Sequence, residues 1–312
     1  MQTVDLPESL AREGDLMLGA LLADLRAAGF ADIFCTRDTR LDNPSVHIRT
    51  IKPGKDVWQT WQQCMQESDA VWVIAPETGN VLYELSCMAV EQDCLLIGCA
   101  PEAVKLTSSK SGTLQHLVNS QIPCVPVLSD INAVVESNNG WVIKPDDGVG
   151  GEGCYFFNNL KAAKTHISRL DHKNFIVQEY VPGTPASISM LCHAGRSVLL
   201  SCNEQLFEFK NGRGELTGII VNGLQQYVKS FTEIANMVGS AINGLEGYVG
   251  IDLVISDTGP QVLEVNPRLT TTYAGLRQSL GINPAAMILE VLQNGRFPDL
   301  HGVDYPSVTI RF

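Results

Sequence analysis

The apolar positions divide the chain into two textures. Over residues 9–28, Leu10, Met17, Leu21, Leu22 and Leu25 recur at helical spacing, and Gly29 is placed to stop the helix. Short apolar runs at 33–35, 46–51, 70–75 and 94–97 predict strands, with helices over 58–66 and 81–90 between them. This alternation predicts a small open α/β layer over residues 1–107. Such a layer ordinarily starts with a strand, whereas this chain starts with a helix, so we expect a missing first strand or a start upstream of Met1.

Beyond Leu106 the pattern favours strand pairs. A helix is predicted over 110–119, and "IPCVPV" is an extended, proline-marked entry. A strand at 141–143 and another at 154–157 flank a glycine loop, and a helix over 160–170 and a strand over 175–181 follow. Strands at 187–193 and 197–202 predict a hairpin across Ala194-Gly195-Arg196. A helix over 229–242, two more strands and the helix of "NPAAMILEVLQNG" complete the chain. This half is predicted to be α+β, built as two lobes over 108–182 and 183–312.

Three stretches carry candidate chemistry. In "WVIKPDDGVGGEGCYFF", Gly148, Gly150 and Gly153 are spaced G-x-G-x-x-G, which is also a dinucleotide-binding fingerprint. That fingerprint must open a helix, but Cys154-Tyr155-Phe156-Phe157 predicts a strand, so the loop is expected to be a hairpin flap able to close over phosphates. Lys144 stands at its base before Pro145, and Lys110 opens a helix after Thr107-Ser108-Ser109, where the helix end already favours anions. In "GIDLVISDTGPQVLEVNPR", a five-residue turn centred on Thr258 pairs Ile255 with Gln261 and Asp252 with Glu264. Alternation keeps Asn266 on the Glu264 face. Facing carboxylates repel unless a cation joins them, and an Asp/Glu/Asn oxygen set suits Mg²⁺ shared with substrate phosphates. Arg268 continues the polar row into "NPRLTTTYAG", a hydroxyl-rich loop suited to an anion. The third stretch, "FIVQEYVPG", ends a strand at a Pro-Gly hinge whose backbone can read a base edge. Taken singly, each lysine is more often a surface residue and each strand end an ordinary edge.

Composition narrows the partners. A formal net charge of -12 argues against a general nucleic-acid or anionic-membrane binder. No apolar run reaches the length of a membrane span, and no signal peptide is evident. Nine cysteines without a C-x-x-C pair favour reduced, mostly buried thiols in a cytoplasmic protein.

Taken in order, Lys110, Lys144, the glycine hairpin, "QEYVPG", Asp252 and the E-x-N-x-R of Glu264, Asn266 and Arg268 resemble an ATP-grasp enzyme over essentially the whole chain. The resemblance implies two α+β lobes gripping ATP behind a small open α/β pre-ATP-grasp domain. More narrowly, "EGDLMLGALLADL" and "EVNPRLTTTYAGLRQSLGINPA" are similar to the tyramine–glutamate ligases of methanofuran synthesis and their relatives in methylofuran synthesis.

The resemblance implies ATP contacts from Lys110, Lys144, Gly148, Gly150, Gly151 and Gly153, with Gln178, Glu179, Tyr180 and Val181 around adenine. Asp252, Glu264 and Asn266 would hold one or two Mg²⁺ ions, with Mn²⁺ an admissible substitute. Arg268 would be catalytic, neutralising the transferring phosphoryl group or the substrate carboxylate. Residues 203–223 would help shape the acceptor pocket, with Asn203, Gln205, Thr271 and Tyr273 as substrate candidates. Many relatives place an acidic ribose contact after "VPG", where this chain has Thr184-Pro185-Ala186-Ser187. The implied partners are a small carboxylate and an amine, with a homodimer left open. The implied reaction joins them through an acyl phosphate, glutamate with tyramine or tyrosine being the narrower expectation. A small-molecule kinase on the same scaffold and a non-catalytic nucleotide-binding module are the alternatives.

Overall fold

The computed structural model describes residues 8–42, 44, 46–51, 56–128, 137–148, 150–170, 175–300 and 305–311. The first helix, α1 (Glu8–Ala27), buries Met17, Leu21 and Leu22 and ends where Gly29 adopts a positive φ of 93°. Strands β1 (Phe34–Asp38) and β2 (His47–Ile51) pair in parallel, and Arg37 of β1 is ion-paired to Asp15 of α1. Helices α2 (Val57–Gln66) and α3 (Val81–Glu91) flank a second parallel pair, β3 (Ala70–Val71) and β4 (Leu95–Leu96). Both strands of that pair are shorter than their apolar runs. Ile97 still donates to the Val71 carbonyl at 2.8 Å, but the chain then bends at Gly98 and no further ladder pair forms.

Helix α4 (Pro101–Thr107), with proline in its first turn, leads to α5 (Lys110–Asn119). Ser109 caps α5 by accepting from the Gly112 amide at 3.0 Å, and Asp146 accepts from the Ser111 amide at 2.7 Å. The "IPCVPV" stretch runs along the sheet edge. Its Val125 amide donates to the Val262 carbonyl at 3.0 Å and its Pro123 carbonyl accepts from the Val262 amide at 3.0 Å.

One nine-stranded sheet organises the remainder. Strands β5 (Trp141–Pro145), β6 (Tyr155–Phe157) and β7 (Phe175–Glu179) form one end, with α6 (Leu160–Ile167) packed against them through Ala163. The other end contains β8 (Thr184–His193), β9 (Arg196–Lys210) and β10 (Arg213–Val221). Beside them lie β11 (Gly247–Ser256), β12 (Gly259–Asn266) and β13 (Val308–Arg311), the last paired with β10. The two ends meet at one registered pair, Arg213 with Tyr155. Bonds from the Phe156 amide to Gly212 at 2.7 Å and from the Gly214 amide to Cys154 at 2.9 Å complete that seam. Helix α7 (Val228–Ala241) buries Phe231, Ile234 and Val238 against one face of the sheet. Helices α8 (Tyr273–Leu280) and α9 (Pro284–Asn294) join α1 in a second core.

Four local expectations are corrected. Arg196 belongs to β9, because a two-residue turn at Ala194-Gly195, both at positive φ, already reverses the chain. The region 203–223, expected only as a pocket-shaping stretch, is a hairpin. Its turn is Asn211-Gly212, again both at positive φ, as the two-residue turn matching strand twist requires. The turn before β12 is Asp257-Thr258, so Ile255 pairs with Pro260 and not with Gln261. An extra residue, Leu263, then bulges out and returns Asp252 to its place opposite Glu264. Finally, the "NPRLTTTYAG" stretch passes into α8 at Tyr273 instead of staying a loop.

Candidate active site

A cavity of about 560 Å³ opens between the two ends of the sheet. Its roof is the glycine loop between β5 and β6, through Gly148, Gly150 and Gly151. At Gly151, φ is +74° and an added Cβ would lie 3.3 Å from the Phe207 ring, so a side chain there would meet both backbone strain and the cavity wall. Gly153, also at positive φ, lies outside the lining, and a Cβ there would meet the Pro145 ring at 2.9 Å. The loop base is braced by the Gly79 amide donating to Asp147 at 3.1 Å and by Thr78 donating to the Asp147 carbonyl at 2.9 Å.

The far wall follows the end of β7. Gln178, Glu179, Tyr180 and Val181 all line it, although regular strand ends at Glu179. The Gln178 side chain turns inward and donates to the Val125 carbonyl at 2.7 Å, while Glu179 accepts from Ser137 at 2.5 Å. Phe156, Tyr180, Phe207 and Phe209 pack with centroids 5.0 to 5.9 Å apart, giving the wall an aromatic surface. Phe207 and Phe209 escaped the sequence reading, although their period of two within β9 is the signal that would have found them.

The floor is the β11–β12 hairpin. Asp252 accepts from the Gln205 amide at 2.7 Å and from the Asn266 amide at 3.2 Å, with Glu264 directly opposite. Lys110 Nζ lies 3.0 Å from Glu264 and also donates to the Gly148 carbonyl, which ties the floor to the roof. Burial, and next the facing Glu264 carboxylate, push the Asp252 carboxyl well above its ordinary value. Burial pushes Glu264 in the same direction, but Lys110 and Lys144, with bonds from Asp252 and Lys110, outweigh it and hold Glu264 down. The Lys144 ammonium is lowered, first by burial and then by Lys110, against the pull of Glu264. The arrangement is a buried, oxygen-rich pair short of positive charge at one point.

This donor set fits a divalent cation. Among the described residues no group of three or more His, Cys, Asp or Glu side chains gathers into a cage. Two carboxylates and the Asn266 amide are what Mg²⁺ uses when substrate phosphates complete its shell.

Arg268 is held away from the cavity lining. Its Nε donates to both Glu77 oxygens at 2.9 Å and its Nη1 to the Leu269 carbonyl at 3.0 Å. Glu77 was not singled out in the sequence, where nothing distinguishes it from a surface acid. Three substrate candidates have their polar groups satisfied elsewhere. Asn203 is fully buried and bonds Ser187, Ser189 and the Asn222 amide. Tyr273 donates to Asp24 at 3.0 Å, and Thr271 donates to Glu13 at 2.9 Å. Of the four, Gln205 alone lines the cavity.

Known proteins resemble this arrangement. A family profile described as "ATP-grasp domain" matches residues 107–272, and one described as "pre ATP-grasp 3 domain" matches residues 31–104. The tyramine–L-glutamate ligase of Methanocaldococcus jannaschii is 26% identical over 276 residues, covering 86% of this chain and 80% of that protein. Among solved structures, N5-carboxyaminoimidazole synthetase from Staphylococcus aureus, complexed with ADP, superposes with a TM-score of 0.72 at 16% identity, covering 92% of this chain and 76% of that one. L-Amino acid ligase from Bacillus licheniformis does so with a TM-score of 0.69 at 16% identity, covering 88% and 71%. At these identities the structural likeness speaks for the fold alone.

Proposed function

The chain belongs to the ATP-grasp family, and from that premise we propose that it is an ATP-dependent carboxylate–amine ligase. Its preferred pair, on this reading, is glutamate with tyramine or tyrosine, as in methanofuran- or methylofuran-type cofactor synthesis. The observation that carries the reading is the facing Asp252–Glu264 pair beneath a glycine flap, with Lys110 bridging the two. A protein that only bound a nucleotide would gain nothing from burying that repulsion. The activity named for the Methanocaldococcus relative supports the substrate pair. We assign 1–107 to the pre-ATP-grasp unit and 108–182 and 183–312 to the two grasping lobes.

In this mechanism adenine rests against Tyr180 and the Phe156–Phe209 surface, read by the backbone after β7. Lys110 and Lys144 neutralise the phosphates, and the flap excludes water from the reacting centre. Asp252, Glu264 and Asn266 hold one or two Mg²⁺ ions, whose contribution when bound is to offset charge on the transferring phosphoryl group. The substrate carboxylate attacks the γ-phosphorus, ADP leaves, and the acyl phosphate so formed is attacked at its carbonyl carbon by the amine. Amide and phosphate are released. Arg268, which follows the hairpin and is fixed by Glu77, would act on the transferring phosphoryl group or the substrate carboxylate only after that pair opens toward the cavity.

The test is ADP release across a grid of carboxylates and amines, with product masses read in parallel. ADP that requires both substrates, together with an amide mass, supports the ligase. ADP from one substrate with a stable phosphorylated product would transfer the assignment to a kinase. Glu264→Ala should abolish ADP formation in a protein with unchanged circular dichroism; full activity in that variant would sink the metal-hairpin assignment.

A further inference from the structure

One carboxylate beside the glycine loop takes no part in the mechanism so far. Glu13 lies in α1, outside both family-matched segments. One of its oxygens accepts from Thr271 at 2.9 Å. The other faces the tip of the glycine loop, 3.6 Å from where a Gly150 Cβ would stand. Three residues before Thr271 is Arg268, whose charge bears on Glu13 on one side and on Glu264 and Asp252 on the other. Glu13 therefore lies beside the tip of the glycine loop, just behind the residues that line the cavity. Among the described residues no lysine or arginine forms an ion pair with it, and burial raises its carboxyl above the ordinary value.

An acceptor amine is an ammonium near neutral pH and cannot attack until it sheds a proton. Lys110 and Lys144 line the cavity, where they serve anions and repel a cation. A partly buried carboxylate at the flap tip supplies the missing complement.

We propose that Glu13, with one oxygen fixed by Thr271, is the seat of the acceptor ammonium and takes its proton. The inference rests on the ligase reading. In the step, the ammonium gives one proton to Glu13 and its freed lone pair forms the N–C bond at the acyl carbon. The C–O bond to phosphate breaks and its electron pair leaves on phosphate. The second nitrogen proton departs with that group as hydrogen phosphate, leaving the neutral amide.

The experiment compares two acceptors with L-glutamate and MgATP. Tyramine arrives as an ammonium, whereas hydroxylamine is largely uncharged at neutral pH and traps an acyl phosphate as the hydroxamate without needing the seat. Glu13→Gln should lower kcat/KM for tyramine about a hundredfold. Hydroxamate formation and the KM for ATP should stay at wild-type values. Glu13→Asp, which keeps the charge, should recover part of the tyramine reaction. Unchanged tyramine kinetics in Glu13→Gln would overturn the assignment, as would parallel loss of both reactions in Glu13→Gln and Glu13→Asp, which would place Glu13 in folding or phosphoryl transfer. A wild-type protein forming neither amide nor hydroxamate would bring down the ligase reading first, and this inference with it.

Discussion

Asp252 and Glu264 give the residue scale its sharpest consequence. Their facing is unfavourable without a cation, so Asp252→Asn should stabilise the metal-free protein by about 1 kcal/mol. The same substitution should remove most of the stabilisation that Mg²⁺ and nucleotide add to the parent. Thermal melts with a chelator and with MgADP read both effects, and an unaltered response to MgADP in the variant would count against a cation at this pair. The trade of stability for function is what a strained site predicts. The pair is legible in the sequence because alternation puts two acids on one side of a hairpin. Lys110 as the link from Glu264 to the flap is not, since its reach depends on where α5 starts relative to β12.

At the scale of the element, turns decide what the sequence discloses. Asn211-Gly212 is a strong hairpin signal, and the alternation of Leu206 and Glu208 with Phe207 and Phe209 before it marks the incoming strand. The Asp257-Thr258 turn and the Leu263 bulge offset one another, so Asp252 meets Glu264 although the intervening register differs from the simple symmetric one. A bulge leaves no mark in a run of apolar residues, and pattern alone does not locate it. Helix α6 offers a test of packing on β6. The His166 ring centroid lies 4.6 Å from that of Tyr155 and 5.0 Å from that of Phe157, and its buried Nε2 has no hydrogen-bond partner among the described residues. Burial, then Arg169, holds its imidazole below the ordinary value. A histidine lowered on folding contributes stability that is complete above its unfolded pKa of about 6.5 and is lost as pH falls below it. Denaturant unfolding from neutral to mildly acidic pH should therefore show a slope that His166→Leu flattens. The hinge after β7 offers another test. A Cβ on Gly183 would stand 2.3 Å from the Ile255 carbonyl oxygen, so Gly183→Ala should cost about 1 to 3 kcal/mol by forcing the hinge away from β11. A neutral result in the same unfolding assay would mean the hinge yields freely.

Across the whole molecule, the first hundred residues reach into the site that later ones build. Glu77 grips Arg268, Thr78 and Gly79 brace the flap base at Asp147, and Glu13 meets Thr271. These contacts link residues far apart in the chain, so composition and periodicity carry no trace of them. The α/β texture of that region was readable all the same. Because the Glu77–Arg268 pair is buried, Glu77→Ala should cost about 3 kcal/mol in unfolding free energy by leaving the guanidinium without its counter-ion. Glu77→Gln, which still accepts a hydrogen bond, should cost less; equal costs would assign the effect to packing instead of charge. No helix among the described residues is long and apolar enough to cross a membrane.

The seam between the two sheet ends has a further consequence. Among the described residues Arg213–Tyr155 is the one registered pair there, so the ladder is thinnest along that line. The amide protons of Phe156 and Gly214 hold that seam together. In heavy water their exchange would act as a clock for the parting of the halves, running ahead of amides within the β8–β9 and β11–β12 ladders and slowing when a nucleotide bridges the fold.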